Sequence, residues 1–242
     1  MFSFLRKLFR PERERDGSID PAAWDDIDSW LLPPDDVHNP ALWDQYWHNQ
    51  VSHGLGPPLF DMFISDDTLI EVMSEHRLRT VLCAGNGISQ EPRFLAAAGF
   101  EVTALDSSPL ALQIAETWQP EEAIASNGIA GALQSSEHHA RFVVGDVLNP
   151  DVCPGPYDLI IERRTLQLFS ETERAPALDA LLARLQPEGI VLSHCHDARW
   201  RPPDEPFHPV KALLRDKGLT IWPGTPDPKP RGKVGWIETS TG

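Results

Sequence analysis

The segment RTVLCAGNGISQEPRFLAAAGFEVTALDSSP, residues 79–109, constrains the fold more than any other part of the chain. Its apolar run Thr80–Ala84 predicts a short buried strand, and the letters GNGIS that follow predict a tight glycine turn. Residues 90–98 are typical of a helix that ends at Gly99, and Glu101–Asp106 predicts a second strand. Such a strand–helix–strand unit predicts two parallel strands joined by a right-handed crossover.

The rest of the chain repeats this alternation of strands and helices. Because each apolar strand is followed by a helix, the sequence predicts an α/β protein with a parallel sheet covered on both faces. Ligands of such sheets bind at the carboxyl ends of the strands. The further predicted elements are strands over residues 140–145, 157–162, 189–195, 219–222 and 233–240, helices over residues 109–118, 171–185 and 208–217, and an irregular insertion over residues 119–140.

The first part of the chain predicts a different organisation. Residues 1–38 are acidic and rich in proline, which predicts a largely irregular extension. Residues 39–242 are the predicted folded domain, and its first part, residues 39–78, is predicted to be a helical lid. Trp43 and Trp47 lie four positions apart in this lid, so they share one face of a helix.

Charge and cysteine content restrict the partners and the compartment. The formal net charge is −15, so a phosphate backbone would be repelled and no nucleic-acid partner is expected. The three cysteines are widely spaced, which favours a reducing cytoplasm over a disulfide framework. The sequence contains no CxxC pair, so no structural metal site is predicted. No run is apolar enough to cross a bilayer and no secretory signal is recognised, so stable membrane insertion is not expected.

The glycine turn predicts what kind of ligand the sheet holds. A dinucleotide-binding turn would have a third glycine where this chain has Gln90, and no Gly-Lys-Ser/Thr follows to make a phosphate-binding loop. Asp106 ends the second strand, where a carboxylate can accept hydrogen bonds from the hydroxyls of a ribose. Asp146 follows the third strand and is placed to accept from an adenine amino group. These features predict a nucleoside ligand without a pyrophosphate.

The order and spacing of these residues resemble the class I S-adenosylmethionine-dependent methyltransferases, over residues 80–242. The first motif of that family runs apolar, apolar, acid, apolar, Gly, x, Gly, x, Gly. Here it reads VLCAGNGIS, with Cys83 in the place of the acid and Ser89 in the place of the third glycine. The segments YDLIIERRTLQLF at 157–169 and LQPEGIVLSH at 185–194 resemble the family's fourth and fifth strands.

This resemblance implies a fold, a cofactor and a set of binding residues. The fold would be a Rossmann-like seven-stranded, mostly parallel sheet with helices on both faces, an antiparallel last strand and an N-terminal helical extension. Residues 39–242 would form the methyltransferase-like domain, and the cofactor would be S-adenosyl-L-methionine. The residues expected to bind it are Cys83, Ala84, Gly85, Asn86, Gly87, Asp106, Ser107, Asp146, Val147, Glu162, Trp43 and Trp47.

A narrower similarity is to the thiopurine-methyltransferase-like branch of the family. Members of that branch carry a tryptophan-rich helix before the first motif and an acid-Arg-x-x-Leu segment after the fourth strand. This chain has Trp43 and Trp47 in the first place, and Glu162, Arg163 and Leu166 in the second.

The resemblance implies methyl transfer to a small-molecule acceptor through an oxygen, nitrogen or sulfur atom. His194 and His196 lie at the end of the fifth strand, where an imidazole can remove a proton, so they are the expected catalytic residues; a solvated polar loop is the alternative interpretation. Cys83 and Ser89 leave open a non-catalytic relative that acts as a binding or scaffold protein. Gln90 disfavours a third class, a nucleotide-dependent oxidoreductase.

Overall fold

The computed structural model describes residues 33–52, 67–118, 139–196, 209–222 and 234–240. The predictions for residues 1–32, for residues 53–66 of the lid and for residues 119–138 of the insertion lie outside this part of the chain. The helices are α1 (Pro40–Ser52), α2 (Asp67–Glu75), α3 (Glu91–Ala97), α4 (Pro109–Thr117), α5 (Glu171–Ala183) and α6 (Pro209–Asp216), with a 3-10 helix at Leu166–Leu168. The strands are β1 (Thr80–Ala84), β2 (Glu101–Asp106), β3 (Arg141–Val144), β4 (Tyr157–Arg163), β5 (Leu185–His196), β6 (Thr220–Trp222) and β7 (Val234–Ser240).

The strands form one sheet in the order β3-β2-β1-β4-β5-β7-β6. The predicted Rossmann-like parallel sheet with helices is therefore confirmed. The chain order reverses between β1 and β4, so the carboxyl ends of these strands and their neighbours face one crevice.

The expected antiparallel direction of the last strand is wrong. β7 pairs in parallel with both of its neighbours, with Val234 beside Ile190 of β5 and beside Thr220 of β6. A short segment such as VGWIETS predicts a strand, but its residues carry no information about the direction of that strand, which depends on where the preceding connection returns the chain.

Alternate side chains of the central strands enter the two layers of the core. Val81 and Cys83 of β1 face the layer made with α2 and α3, and Leu82 and Ala84 face the layer made with α5 and α6. Both faces of β1 are therefore buried, as the apolar run predicted.

Local signals set the helix starts next to the crevice. Ser108 caps α4 by accepting from the Ala111 amide at 3.0 Å, and Pro109 takes the first helical position, where no amide donor is needed. Ser170 and Glu173 open α5, with the Ser170 amide donating to the Glu173 carboxylate at 3.2 Å. None of the helices within the described ranges is long and apolar enough to cross a membrane.

Candidate ligand-binding site

A cavity of about 430 Å³ opens at the carboxyl ends of β1, β2, β3 and β4. Its floor is the glycine turn after β1, and its walls come from α1 and from the segments that follow β2, β3 and β4. Most of the residues expected to bind the cofactor line it, namely Trp43, Trp47, Cys83, Ala84, Gly85, Asn86, Gly87, Asp106, Ser107, Asp146 and Val147.

The glycine turn needs glycine at two positions. Gly85 has a φ of 64° and Gly87 a φ of 56°, in the left-handed region that side chains disfavour. The amides of Gly85 and Asn86 donate to the Leu105 carbonyl at 2.8 and 3.1 Å, which fixes the turn against the end of β2. The Thr165 side chain packs directly against Gly85, so the turn has no room for a larger residue there.

Asp106 lines the cavity at the end of β2 and is held by backbone donors. Its Oδ2 atom accepts from the Gly87 amide at 2.7 Å, and its Oδ1 atom accepts from the Ser108 amide at 2.8 Å. Burial raises the pKa of this carboxyl, while the hydrogen bonds from the Ser108 and Gly87 amides act in the opposite direction. Each oxygen of a carboxylate can accept a second hydrogen bond, so Asp106 can still bind a hydroxyl in the cavity.

Asp146 and Val147 form the next part of the wall, after β3. The Asp146 side chain is exposed, and its Oδ1 atom accepts from the Leu148 amide at 2.8 Å. Val147 is buried, and its carbonyl accepts from Arg184 at 2.8 Å. Because the Arg184 guanidinium is fully buried and also donates to the Ala180 carbonyl at 3.0 Å, it ties this loop to α5.

Helix α1 covers the glycine turn through its tryptophans. The Trp47 ring lies against Gly87, where an added Cβ would come within 2.6 Å of ring atom Cζ2. Trp43 stacks on Trp47 with ring centroids 6.4 Å apart and planes inclined by 26°, and its Nε1 donates to the Val37 carbonyl at 2.9 Å. Both predicted lid tryptophans therefore lie on the cavity side of α1.

Asp44 fastens α1 to the start of α4. Its Oδ1 atom accepts from the Ser108 hydroxyl at 2.5 Å and from the Leu110 amide at 3.1 Å. A carboxylate at a helix N-terminus is favoured both by the unpaired amides and by the helix dipole. Asp44 thereby links the tryptophan helix to the segment that carries Asp106.

Replacing Asp44 with alanine is expected to destabilise the protein by about 1 kcal/mol and to loosen α1, because the Leu110 amide loses its acceptor. Hydrogen–deuterium exchange should become faster in α1 and in the first turn of α4. Asp44→Asn keeps an acceptor oxygen and serves as the matched control, with exchange close to that of the wild type. Unchanged exchange in Asp44→Ala would show that this contact does not hold the helix.

A buried ion pair forms the wall of the cavity beside β1 and β4. Arg163 Nη2 donates to Glu91 Oε1 at 2.7 Å, and Arg163 Nε donates to Glu91 Oε2 at 3.0 Å. Arg163 thus pairs with an acid at the start of α3 and not with its neighbour Glu162. Burial and the nearby Glu91 charge raise the pKa of the Cys83 thiol well above its usual range, with Arg163 acting in the opposite direction, so Cys83 is a neutral group in this wall.

Glu162 lies outside the cavity and supports its wall, whereas its side chain was expected to contact the cofactor. The side chain is fully buried behind the cavity wall. Its Oε2 atom accepts from the amides of Thr165 and Leu166, both at 3.0 Å, and its Oε1 atom accepts from the Ser193 hydroxyl. Glu162 therefore organises the chain that follows β4, and the pattern acid-Arg-x-x-Leu reflects this turn.

Of the two histidines expected to be catalytic, only His194 has a side chain that the structure describes, and it lies outside the cavity. His194 is only 3% exposed, and it lies beside Arg163 in the pairing of β5 with β4. His194 is thus enclosed by the sheet and its covering layers and is not one of the residues that line the cavity. The side chain of His196 lies outside the described part of the structure. No group of three or more metal-ligating side chains occurs among the residues that the structure describes.

Several residues of the cavity wall were not predicted from the sequence. Arg164 lines the cavity with a φ of 65°, and burial raises the pKa of the adjacent Tyr46 phenol to about 12, opposed by the Arg164 charge. Thr165 donates to the Ala84 carbonyl at 3.1 Å and closes the turn. Their position in the sequence could have identified these residues, because residues directly after β4 lie at the same edge of the sheet as the glycine turn.

Comparisons with known proteins find similarity only among solved structures. No protein-family model matches the chain. No curated protein matches it either. The magnesium protoporphyrin IX methyltransferase of Synechocystis PCC 6803, solved with bound S-adenosylmethionine, is 17% identical with a TM-score of 0.45, covering 84% of this chain and 88% of that one.

Two further structures are similar over a smaller part of their length. The plantazolicin methyltransferase in complex with S-adenosylhomocysteine is 20% identical with a TM-score of 0.41, covering 68% of this chain and 54% of that one. An S-adenosylmethionine-dependent methyltransferase from Thiobacillus denitrificans is 21% identical with a TM-score of 0.38, covering 54% and 48%. The chain thus spans about half the length of these two proteins. At such low similarity, the function has to be inferred from the geometry of the site.

Proposed function

We propose that this chain is a class I methyltransferase that uses S-adenosyl-L-methionine to methylate a small-molecule acceptor at an oxygen, nitrogen or sulfur atom. The observation that carries the proposal is the position of the Asp106 carboxylate. It faces the cavity at the end of β2, and a hydrogen bond fixes it to the left-handed glycine at position 87. A carboxylate there can accept both hydroxyls of a ribose, and the bare glycine backbone allows a nucleoside to approach closely.

Gln90 supports a nucleoside ligand over a dinucleotide. Its buried side chain donates to the Ala115 carbonyl at 2.9 Å and accepts from Arg93 at 2.7 Å, so it occupies the space between α3 and α4. A dinucleotide-binding turn uses a glycine at this position to bring the helix close to the strand. Asp146 at the adjacent strand end supplies an acceptor suited to an adenine amino group.

The contribution of the chain to methyl transfer is to bind and orient two molecules. S-adenosylmethionine supplies, when bound, a methyl group already activated by the positive charge on sulfur. Asp106, Asp146 and the glycine turn would hold the nucleoside part. Trp43, Trp47 and Phe169 give the same cavity an apolar wall, which suits a small, partly apolar acceptor. Positioning of two reactants in this way can lower a barrier by about 7 to 11 kcal/mol.

The position of α1 supports its assignment as the lid of this site. It covers the glycine turn through Trp47 and is fastened to α4 through Asp44. We therefore propose that residues 39–78 act as a lid on the domain 39–242, preceded by the extension 1–38. Membership of the thiopurine-methyltransferase-like branch, a catalytic role of His196 and a cytoplasmic location stay predictions.

Calorimetric titration with S-adenosylmethionine and S-adenosylhomocysteine tests this function directly. We expect micromolar binding by the wild type, and binding about 10- to 100-fold weaker by Asp106→Asn, because hydrogen bonds to a charged group contribute about 1.5 to 3 kcal/mol. Glu116→Gln changes an exposed acid of α4 and is the matched control, with binding unchanged. A folded wild-type protein that binds neither ligand would overturn the proposal and favour a non-catalytic binding or scaffold protein.

A further inference from the structure

Among the described residues, the cavity wall holds one carboxylate for which binding of the nucleoside gives no role. The Glu91 side chain lines the cavity at the start of α3 and is only 4% exposed, and its partner Arg163 is 13% exposed. The two side chains form two parallel hydrogen bonds of 2.7 and 3.0 Å. Two such hydrogen bonds fix the direction of the carboxylate, and the near absence of water strengthens its interaction with any further charge.

Glu91 lies at the opposite end of the cavity from the nucleoside acids. In the sheet order β3-β2-β1-β4, Asp146 and Asp106 follow the first two strands, whereas Arg163 ends β4. The Glu91–Arg163 pair adjoins Cys83, whose thiol is influenced by both charges. A ligand whose nucleoside lies against the two aspartates therefore has this ion pair near its other end.

The end of β1 itself offers no charge to such a ligand. Cys83 is 3% exposed and lines the cavity, and its thiol remains protonated because burial and the Glu91 charge disfavour a thiolate. Glu91 is an acid beside Cys83 that lines the cavity. Each of its oxygens accepts one hydrogen bond from Arg163, and a carboxylate offers about four acceptor sites.

We propose that Glu91 accepts hydrogen bonds from the α-ammonium group of the cofactor's methionyl end, and that Arg163 is the positioning residue that orients Glu91 for this contact. The inference rests on the proposed function, because it takes S-adenosylmethionine as the ligand. The contact would come from the first turn of α3, beside the neutral thiol of Cys83.

The test is a thermodynamic cycle in which both the protein and the ligand are varied and the affinities are measured by calorimetry. The ligands are S-adenosylhomocysteine and its analogue without the α-amino group, and the proteins are the wild type, Glu91→Gln and Glu91→Asp. We expect Glu91→Gln to bind S-adenosylhomocysteine about 10- to 100-fold more weakly but the deaminated analogue within about two-fold of the wild type. Glu91→Asp keeps the charge and should recover part of the lost affinity. Melting temperatures of the variants check that each is folded.

The outcomes separate this inference from the proposed function. Equal weakening of both ligands in Glu91→Gln, or of neither, would overturn the role of Glu91 while cofactor binding stands. Failure of the wild type to bind S-adenosylhomocysteine would overturn both. If Glu91→Gln does not fold, the wild type alone decides, because removal of the α-amino group must weaken its binding by about 10-fold or more for the inference to survive.

Discussion

Replacing Gly85 with alanine is expected to destabilise the protein by about 2 to 5 kcal/mol and to abolish detectable binding of S-adenosylhomocysteine. A side chain at a φ of 64° costs about 1 to 2 kcal/mol. The added methyl would also overlap the Thr165 hydroxyl and lie 2.6 Å from Thr165 Cγ2. Thr165 cannot withdraw freely, because its hydroxyl donates to the Ala84 carbonyl and its amide to Glu162, so crowding adds about 1 to 3 kcal/mol.

A matched variant separates the backbone cost from the crowding. Gly99 has a φ of 97°, but nothing lies within 4 Å of an added Cβ, so Gly99→Ala should cost only about 1 to 2 kcal/mol and leave ligand binding unchanged. Thr165→Gly combined with Gly85→Ala should recover the part of the loss that crowding causes. Urea denaturation measures both effects. Equal destabilisation by Gly85→Ala and Gly99→Ala would show that Thr165 yields and that the turn is not tightly closed.

The fold could be predicted largely because its signals are local. The apolar run of β1, the left-handed glycines after it and the C-terminal glycine of α3 each act within a few residues. The parallel arrangement then places the ends of neighbouring strands at one edge, so the convergence of Asp106 and Asp146 on one cavity also followed from the sequence.

The parts that could not be predicted depend on contacts between distant residues. Glu91 and Arg163 are separated by 72 positions, and nothing near Arg163 indicates that its partner starts α3 and is not the adjacent Glu162. In the sequence His194 is expected at the ligand-binding edge of the sheet, yet β5 is an interior strand and its residues 190–194 are buried. The direction of β7 could not be predicted for the same reason, because it depends on the path of the connecting chain and not on the residues of the strand.

Glu162→Ala is expected to lower the free energy of unfolding by about 3 to 5 kcal/mol, although Glu162 does not face the cavity. The variant removes the acceptor of two buried amides, those of Thr165 and Leu166, and leaves a space behind the wall. The segment after β4 would then lose its fixed shape, and Thr165 would no longer be held against Gly85. We therefore expect weaker binding of S-adenosylhomocysteine together with the loss of stability, measured by urea denaturation and calorimetry.

Glu162→Gln is the matched control, and it carries a pH dependence of defined sign. Its amide oxygen can still accept from the two backbone amides, so most of the stability should remain.

In the wild type, burial raises the pKa of Glu162 above its usual 4.5, so between the two pKa values the folded state holds a proton that the unfolded state has released. Stability from this group is therefore present below about pH 4.5 and is lost as the pH rises through the raised pKa. Asp106 has a pKa shift in the same direction and remains in the variant, so only the difference between the two proteins isolates Glu162. That difference in unfolding free energy should move in favour of Glu162→Gln between pH 4.5 and 8, and a difference that stays constant would show that Glu162 ionises as easily in the folded chain as in the unfolded one.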